Sequence, residues 1–203
     1  MNRLEQIFEQ SASPAQFAEA YLEYLGRLLQ QVDVHALEQV VEAFLSTRNQ
    51  GGQIVFLGNG GSAATASHFA NDLAICVRAG APPFRAWSCT DNVPAITSIA
   101  NDLSYDDVFF KQLEHRIGPQ DLVVAISASG SSENVLKAVR YAVSCDTPVV
   151  ALTGFDGGPL MTLATIALHV PTASGEYGPV EDLHLVFDHI IANYLMMRCR
   201  AER

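Results

Sequence analysis

Two residues of this sequence, His68 and Asp72, have the types and the spacing to do chemistry together. They lie four positions apart in a stretch with a helical pattern, so their side chains share one face of the helix. An imidazole beside a carboxylate can transfer protons or bind a metal ion. Each residue also has a plain structural explanation, because His68 precedes Phe69 and can belong to the core, and Asp72 can be solvated. The pair therefore needs support from the elements around it.

The helix that carries this pair begins in a glycine-rich loop. Residues 53–72 read QIVFLGNGGSAATASHFAND, which is an apolar run followed by glycines and then by the helical pattern. The N–H groups at such a helix start, together with the positive end of the helix dipole, bind anions and above all phosphate. The sequence therefore predicts an anion site around Asn59, Gly60, Gly61 and Ser62.

A second loop of the same kind follows the apolar run Leu122–Ile126. It reads SASGSSEN over residues 127–134 and leads into another helical pattern. Serine hydroxyls donate to phosphate oxygens without adding charge. Either loop alone is weak evidence, but ligands of open parallel sheets bind at the carboxyl ends of the strands. Two such loops together therefore favour a phosphate site.

Strand-like and helix-like segments alternate from Gln53 onward. This alternation predicts parallel strands with helices on both faces, and 203 residues suit a single domain. The last helical pattern runs from about Val180 to Met197. The predicted strands are the apolar runs Ile54–Leu57, Ala86–Cys89, Leu122–Ile126, Pro148–Leu152 and Ile166–Val170.

A pair of helices is predicted before the first strand. Ser13 and Pro14 have the types of a helix cap and a first-turn residue, and Asp33 has the type to cap a second helix. Gly51 and Gly52 then end that helix. The pair must pack outside the sheet or against another subunit, and we expect the subunit contact.

Composition and charge exclude several functional classes. Hydrophobic residues make up 49% of the chain, which indicates a globular protein, and its apolar runs are shorter than the ~18 residues of a membrane span. The net charge of −10 argues against a nucleic-acid partner. The first ten residues are amphipathic and do not resemble a signal peptide, and the four cysteines lie far apart, as buried thiols. We therefore expect a cytoplasmic protein with neither a membrane nor a nucleic-acid partner.

A dinucleotide site is a weaker interpretation of the first loop. Residues 58–63 also satisfy G-x-G-x-x-A, but that fingerprint expects an acidic residue about twenty positions later, where Arg78 stands. The spacing does not fit a P-loop either. We therefore expect no nucleotide cofactor.

Taken together, these motifs resemble the sugar isomerase (SIS) domain family, and within it the phosphoheptose isomerases. The resemblance covers roughly the whole chain and implies an α/β fold, a three-layer αβα sandwich with a five-stranded parallel sheet. Residues 1–52 would form the N-terminal helices and residues 53–203 the αβα core of a single SIS domain, usually in a homotetramer with active sites between subunits. The matching segments are GNGGS at 58–62, HFA at 68–70, SxSGxSxN at 127–134, Asp91, 99–102, 152–158 and Glu181–His189.

The resemblance also implies an activity and a set of site residues. Enzymes of this kind convert sedoheptulose 7-phosphate to D-glycero-D-manno-heptose 7-phosphate, which supplies heptose for surface polysaccharide such as lipopolysaccharide. By resemblance, Asp72 is the base, His189 is the acid, and a zinc ion is held by His68, Asp72, Glu181 and His189. The substrate-binding residues would be Asn59, Gly60, Gly61, Ser62, Asp91, Ser127, Ser129, Ser132 and Glu181.

The chemistry of aldose–ketose isomerisation suits these residue types. A proton moves between adjacent carbons through an enediol, which requires a base and a group that shuttles the hydroxyl proton. Glu181 and His189 are about 12 Å apart along a helix axis, so they share an ion only if both lean inward. By geometry alone, Glu181 and His184 are the easier pair. Two histidines and two carboxylates suit zinc, and also iron or manganese.

Several positions depart from the family pattern, so phosphate binding is a firmer expectation than specificity for a heptose. The base is usually Glu, and a carboxylate that is one methylene shorter can cost much rate. The departures are Asp72 for Glu, Glu181 for Gln, Ala128 for Thr, Gly178 for Asp, and Cys76 for an Arg, with Arg78 nearby.

A different functional class is the alternative. Some relatives are non-catalytic and bind the bacterial replication initiator, and a SIS domain can also sense a sugar phosphate. The segment Thr90–Val93 is similar to the initiator-binding type. The relatives of that type that we compare lack an acid at the position of Asp72, so the acid and both histidines favour an enzyme.

Overall fold

The computed structural model describes residues 1–77 and 82–201, apart from the side chain of Cys76. Five parallel strands form one sheet in the order β2-β1-β3-β4-β5. Each strand lies within one or two residues of a predicted apolar run, so the predicted parallel sheet is confirmed. The strands are β1 Gln53–Gly58, β2 Arg85–Ser88, β3 Leu122–Ser127, β4 Val149–Thr153 and β5 Ile166–His169.

Helices connect the strands and precede the first of them. The chain continues from α4 into a π-helical turn at Asp72–Cys76, and a 3-10 turn lies at Tyr105–Asp107. The last helix extends a few residues beyond both predicted ends. The α-helices are α1 Arg3–Gln10, α2 Pro14–Leu29, α3 Val34–Asn49, α4 Gly60–Asn71, α5 Val93–Asp102, α6 Phe110–Leu113, α7 Glu133–Ser144, α8 Gly158–Leu163 and α9 Tyr177–Ala201.

The N-terminal region holds three helices where two were predicted. The predicted caps are confirmed, because Ser13 accepts from the N–H of Gln16 and Asp33 accepts from two N–H groups of α3. The additional helix, α1, begins with a capping box in which Asn2 and Glu5 bond to each other's backbone N–H. The sequence pattern indicated only that this segment is amphipathic.

Apolar residues of the strands alternate between two cores, one on each face of the sheet. On β1, Phe56 belongs to the core shared with α3, α4 and α9, and Val55 belongs to the core shared with α7. Strands that are covered on both faces read as continuous apolar runs. The predicted three-layer αβα sandwich is therefore confirmed.

The helix α3 packs on one face of the sheet, which was one of the two placements that the sequence left open for the N-terminal helices. Phe44 of α3 is fully buried, and its ring centroid lies 6.2 Å from that of Phe56 and 5.6 Å from that of Phe69. A helix with one apolar face packs on the nearest apolar sheet face. In α2, by contrast, only Leu28 is buried, and a subunit contact of α2 stays a prediction.

The thiols of Cys89 and Cys199 are buried and unpaired, as expected, and Cys145 is half-buried. Among residues 1–77 and 82–201, no helix is long and apolar enough to cross a membrane.

The order of the strands places the two glycine- and serine-rich loops side by side. The chain leaves β1 toward β2 on one side and returns to β3 on the other, and Gly58 at the end of β1 pairs with Ile126 of β3. Ligands of open parallel sheets bind in the crevice where the strand order reverses in this way.

Candidate active site

The first loop presents an uncapped helix start. Gly60 has a φ of +53°, in the left-handed region that glycine adopts readily, and α4 begins there. Asn59 is the N-cap residue, but its side chain makes no cap hydrogen bond to the helix. The first-turn N–H groups are therefore left without a cap from Asn59, beside the buried side chain of Ser62.

The side chain of Asn59 instead joins the two loops. Its amide nitrogen donates to Oδ1 of Asn134, and the amide nitrogen of Asn134 donates back to Oδ1 of Asn59, at 2.9 Å in both directions. The hydroxyl of Tyr105 donates to the same oxygen of Asn59 at 3.0 Å. Because Asn134 lies in the first turn of α7, this amide pair fixes the starts of α4 and α7 relative to each other.

The second loop is held by its own backbone. Oγ of Ser127 accepts from the N–H of Gly130 at 3.2 Å, and Oγ of Ser129 accepts from the N–H of Ser131 at 3.4 Å. These bonds leave the hydroxyl hydrogens of both serines free to donate outward. Gly130 has a φ of +60°, and a Cβ there would collide with the carbonyl of Gly157, so only glycine fits.

The predicted chemical pair lies two turns along α4 and meets a histidine of α9. Nε2 of His68 is 3.6 Å from Oδ2 of Asp72 and 3.3 Å from Nε2 of His189. Two ring nitrogens at this distance either share one hydrogen or both face a common ion. His68 and His189 come from positions 121 residues apart, and the contact between α4 and α9 brings them together.

Asp188 is the fourth member of this group, and sequence reasoning did not find it. Oδ2 of Asp188 lies 3.8 Å from Nε2 of His68, and one ligand atom from each of His68, Asp72, Asp188 and His189 lies within 4.8 Å of the other three. The side chain of Asp188 is fully buried, and neither carboxylate oxygen has a hydrogen-bond partner among the described residues. Burial raises the pKa of Asp188 to about 8, with a further contribution from Asp72.

Asp72 is placed by the backbone as well as by its neighbours. It is the first residue of the π-helical turn, and its side chain is only 18% exposed. A π-helical turn inserts an extra residue into a helix and is frequent at functional sites, because it turns a side chain away from the regular position. Cys76 stands where the family often has an Arg, and its side chain lies outside the described residues, as does Arg78 nearby.

Glu181 does not join this group. Its carboxylate lies against Gly61 in the first turn of α4, where a Cβ would collide with it. Burial raises the pKa of Glu181, and Asp182 raises it further. Glu181 and His189 lie two turns apart on α9. Glu181 contacts the start of α4, whereas His189 contacts His68 near the end of α4.

His184 also faces away from the group. Its side chain is fully buried, with Nε2 at 3.2 Å from the carbonyl oxygen of Thr153 at the end of β4. Burial lowers the pKa of His184 to about 4, which the contact with Thr153 only partly offsets. Of the two histidines considered for the site, His189 is therefore the one that contacts His68.

Asp91 lies at the β2 side of α4. Ser67 donates to its Oδ1 at 2.5 Å, and Ser67 also contacts the hydroxyl of Thr90 at 2.7 Å. Asp91 is exposed, and its bond to Ser67, the residue before His68, fixes it to α4. Its predicted contact with substrate stays a prediction.

A metal ion fits the donor set. Two imidazole nitrogens and two carboxylates are ligands that zinc accepts, and the unpartnered oxygens of Asp188 are buried atoms that an ion would satisfy. The signal for Asp188 in the sequence was a charged residue inside the apolar stretch 185–191. That signal could not be interpreted without knowing which face of α9 meets α4.

Comparison with known proteins places this arrangement in a family. The sequence model of the SIS domain family matches residues 17–154. A phosphoheptose isomerase of Colwellia psychrerythraea is 37% identical over 195 residues, which cover 95% of this chain and 94% of that protein. The structure of a phosphoheptose isomerase from Neisseria gonorrhoeae superposes with a TM-score of 0.82 at 31% identity and covers 90% of this chain and 98% of that one. The structure of a phosphoheptose isomerase from Francisella tularensis gives a TM-score of 0.82 at 28% identity. The match covers 91% of this chain and 99% of that one.

Proposed function

The chain belongs to the SIS domain family, and within it to the phosphoheptose isomerases, and from this we propose that it converts sedoheptulose 7-phosphate to D-glycero-D-manno-heptose 7-phosphate. The protein is an isomerase that acts on a phosphosugar. The choice of this seven-carbon sugar, and the use of the product in surface polysaccharide, are parts of the proposal.

One observation carries the proposal: α4 joins an anion site to a proton-transfer pair. Ser62 in its first turn and His68 lie six positions apart, which is about 9 Å along a helix axis. A sugar with a phosphate at one end and its carbonyl carbons at the other spans such a gap. Phosphate binding at the loops therefore holds the reacting carbons near Asp72.

The phosphate would be bound by the two loops. The donors are the first-turn N–H groups of α4 and the serine hydroxyls that the loop backbones leave free. Asn59 and Asp91 would contact hydroxyl groups of the sugar, and Glu181, which lies against the first turn of α4, would do so between the loops and His68. The residues proposed to bind phosphate are Gly60, Gly61, Ser62, Ser127, Ser129 and Ser132.

The reacting end would lie at the opposite end of α4. Asp72 takes the proton from the carbon beside the carbonyl and returns it to the neighbouring carbon, and His189 transfers the hydroxyl proton in the same enediol. His189 is exposed, so a substrate can reach it, whereas Asp72 is mostly covered. A carboxylate that is shielded from water is a stronger base toward a C–H proton than a solvated one.

A divalent ion, zinc by preference, is part of the proposal. His68, Asp72 and His189 would hold it, because their ligand atoms converge on one point. When bound, such an ion polarises the carbonyl group and stabilises the negative charge that develops on its oxygen. Asp72 has two carboxylate oxygens, so it could hold the ion with one of them and still accept the proton on the other.

We also propose a cytoplasmic homotetramer. The outward face of α9 carries large apolar side chains at i, i+4 and i+7, namely Ile190, Tyr194 and Met197, which are 47%, 51% and 64% exposed. Side chains of this size on one face are typical of a subunit contact. The unpaired thiols of Cys89 and Cys199 suit a reducing compartment.

Turnover of sedoheptulose 7-phosphate by the purified protein tests the proposed function. We expect an aldose product, with one solvent deuteron at the carbon beside the new carbonyl when the reaction is run in D2O. Failure to form product from this ketose, with turnover of another ketose phosphate, would overturn the heptose assignment. A wild-type protein that binds phosphosugars and isomerises none would support the non-catalytic alternative.

A further inference from the structure

Asp188 is a fully buried carboxylate that points at the histidine pair with neither oxygen partnered among the described residues. We propose that Asp188 binds the metal ion directly, as the fourth protein ligand beside His68, Asp72 and His189. In this site Asp188 has the role of fourth ligand that the family resemblance implied for Glu181, and Glu181 faces the substrate instead. This inference rests on the proposed function only in taking a divalent ion to be present.

The distances from Nε2 of His68 to the other three donor atoms are close to those between the ligands of one metal ion. Ligands about 2.1 Å from a tetrahedral zinc lie about 3.4 Å from one another. From Nε2 of His68, the other three ligand atoms lie at 3.3 Å (His189), 3.6 Å (Asp72) and 3.8 Å (Asp188). The donor atoms are thus already near the separations that one shared ion requires.

Burial gives a second, independent argument. A buried carboxylate without a hydrogen-bond partner is costly, and such groups in proteins are nearly always paired or bound to a metal. Asp72 and His68 do not satisfy Asp188, because no hydrogen bond joins either residue to its carboxyl oxygens and Nε2 of His68 lies beyond hydrogen-bond distance at 3.8 Å. A divalent cation between these residues supplies the missing partner and neutralises both carboxylates.

The position of Glu181 argues against its being the fourth ligand. Its carboxylate contacts Gly61, at the start of α4, whereas His68 and Asp72 lie two to three turns further along the same helix. A ligand at Glu181 would require its side chain to leave the first turn of α4 and to lean about two turns along α9 toward His189. Asp188 needs no such movement.

Four protein ligands also define what the ion can do. If all four residues hold the ion, a substrate oxygen would have to bind it as an additional ligand, which zinc and the other divalent ions that suit this donor set can accept.

Metal affinity of matched variants tests the inference. Full-length protein is stripped with a chelator and titrated with Zn2+ in competition with a chromophoric chelator, and with Co2+, whose visible spectrum reports coordination number. Changes to residues around a ligand alone cost about 10–100-fold in affinity, so we expect Asp188→Asn and Asp188→Leu to raise the Kd for zinc by about 100-fold or more. Glu181→Leu, which removes a carboxylate from the same helix, should change the Kd by less than about threefold.

Opposite results would overturn the inference. The first is a zinc affinity of both Asp188 variants that equals that of the wild type. The second is a loss of affinity in Glu181→Leu as large as in Asp188→Leu. If neither Asp188 variant folds, the Co2+ spectrum of Glu181→Leu decides, because it should equal that of the wild type and a changed spectrum would refute the assignment. A wild-type protein that binds zinc in this way and isomerises no phosphosugar would overturn the proposed function and leave this inference standing.

Discussion

The side-chain amides of Asn59 and Asn134 bond to each other twice, and this pair is the direct link between the two predicted phosphate loops. Both amide oxygens accept a second bond, Asn59 from the hydroxyl of Tyr105 and Asn134 from the N–H of Val135, so each amide keeps one N–H to donate to another group. The pair therefore sets the distance between the serines of one loop and the helix start of the other.

Replacing Asn134 by Asp should weaken substrate binding more than it slows the chemistry. The change puts two oxygens face to face in place of one hydrogen bond, and a lost hydrogen bond of this kind is worth about tenfold in affinity. We expect KM for the phosphosugar to rise about tenfold or more while kcat changes less. Ser144→Ala, at the other end of α7, is the control, and an unchanged KM with a reduced kcat would contradict this role.

Replacing Asp72 by Asn should abolish turnover and leave phosphosugar binding intact. General-base catalysis contributes about 10²–10⁴ in rate, and the amide cannot accept the proton. Steady-state rates and isothermal titration with the phosphosugar measure the two effects. The exposed Glu19→Gln removes the same charge far from the site and should behave as the wild type. Retained turnover in Asp72→Asn would assign the base to another residue.

Removing the ion should stop turnover and should leave Asp188 as a buried group that destabilises the folded protein. Without a metal ion, Asp188 is a buried carboxyl group without a partner, so we expect Asp188→Leu, which removes the polar group, to stabilise the chelated protein by about 1–3 kcal/mol. In the zinc-loaded protein the same substitution should destabilise. Urea unfolding with and without chelator measures both signs. Destabilisation in both states would indicate a partner for Asp188 within the protein.

Stability should fall in mild acid because of His184. Folding keeps this imidazole neutral down to a pH of about 4, whereas the unfolded chain protonates it below about 6.5. The unfolded state therefore binds more protons between these values, and stability decreases as the pH falls, by about 3 kcal/mol in the limit. His184→Gln keeps a donor for the Thr153 carbonyl and should flatten this dependence in urea unfolding at pH 5 and 7. An equal slope in the variant would assign the effect to other groups.

The oligomer should depend on the outward face of α9. Tyr194→Glu places a charge in the centre of the apolar side chains at Ile190 and Met197, and we expect the tetramer to dissociate in light scattering coupled to gel filtration. Val143→Glu adds the same charge at an exposed apolar position of α7 and should leave the tetramer intact. Dissociation by Val143→Glu alone would place the contact on α7.

The sequence predicted the elements whose signals are local. The five strands are continuous apolar runs, and the caps at Ser13 and Asp33 are residue types at fixed positions, so each could be identified without knowledge of the fold. The proximity of His68 and Asp72 follows from helical spacing in the same way. The family resemblance added His189, which helical spacing could not relate to α4.

The features that were missed depend on contacts between distant segments. Asp188 and Glu181 lie on one helix, and which of them meets His68 is decided by the rotation of α9 against α4. The packing of α3 on the sheet likewise depends on Phe44 meeting Phe56 and Phe69, which is a tertiary contact. Periodicity shows that a helix has an apolar face but does not show what covers it.

The helix α4 also limits the length of the sugar. Because Gly60, Gly61 and Ser62 begin α4 and Asp72 directly follows its last residue, the rise of this helix sets the gap between these predicted phosphate contacts and the base. A sugar phosphate that is one carbon shorter would reach the same loops but leave its carbonyl carbons about one bond length away from the carboxylate. Such a molecule would occupy the site without reacting, and shorter sugar phosphates should therefore act as inhibitors rather than as slow substrates.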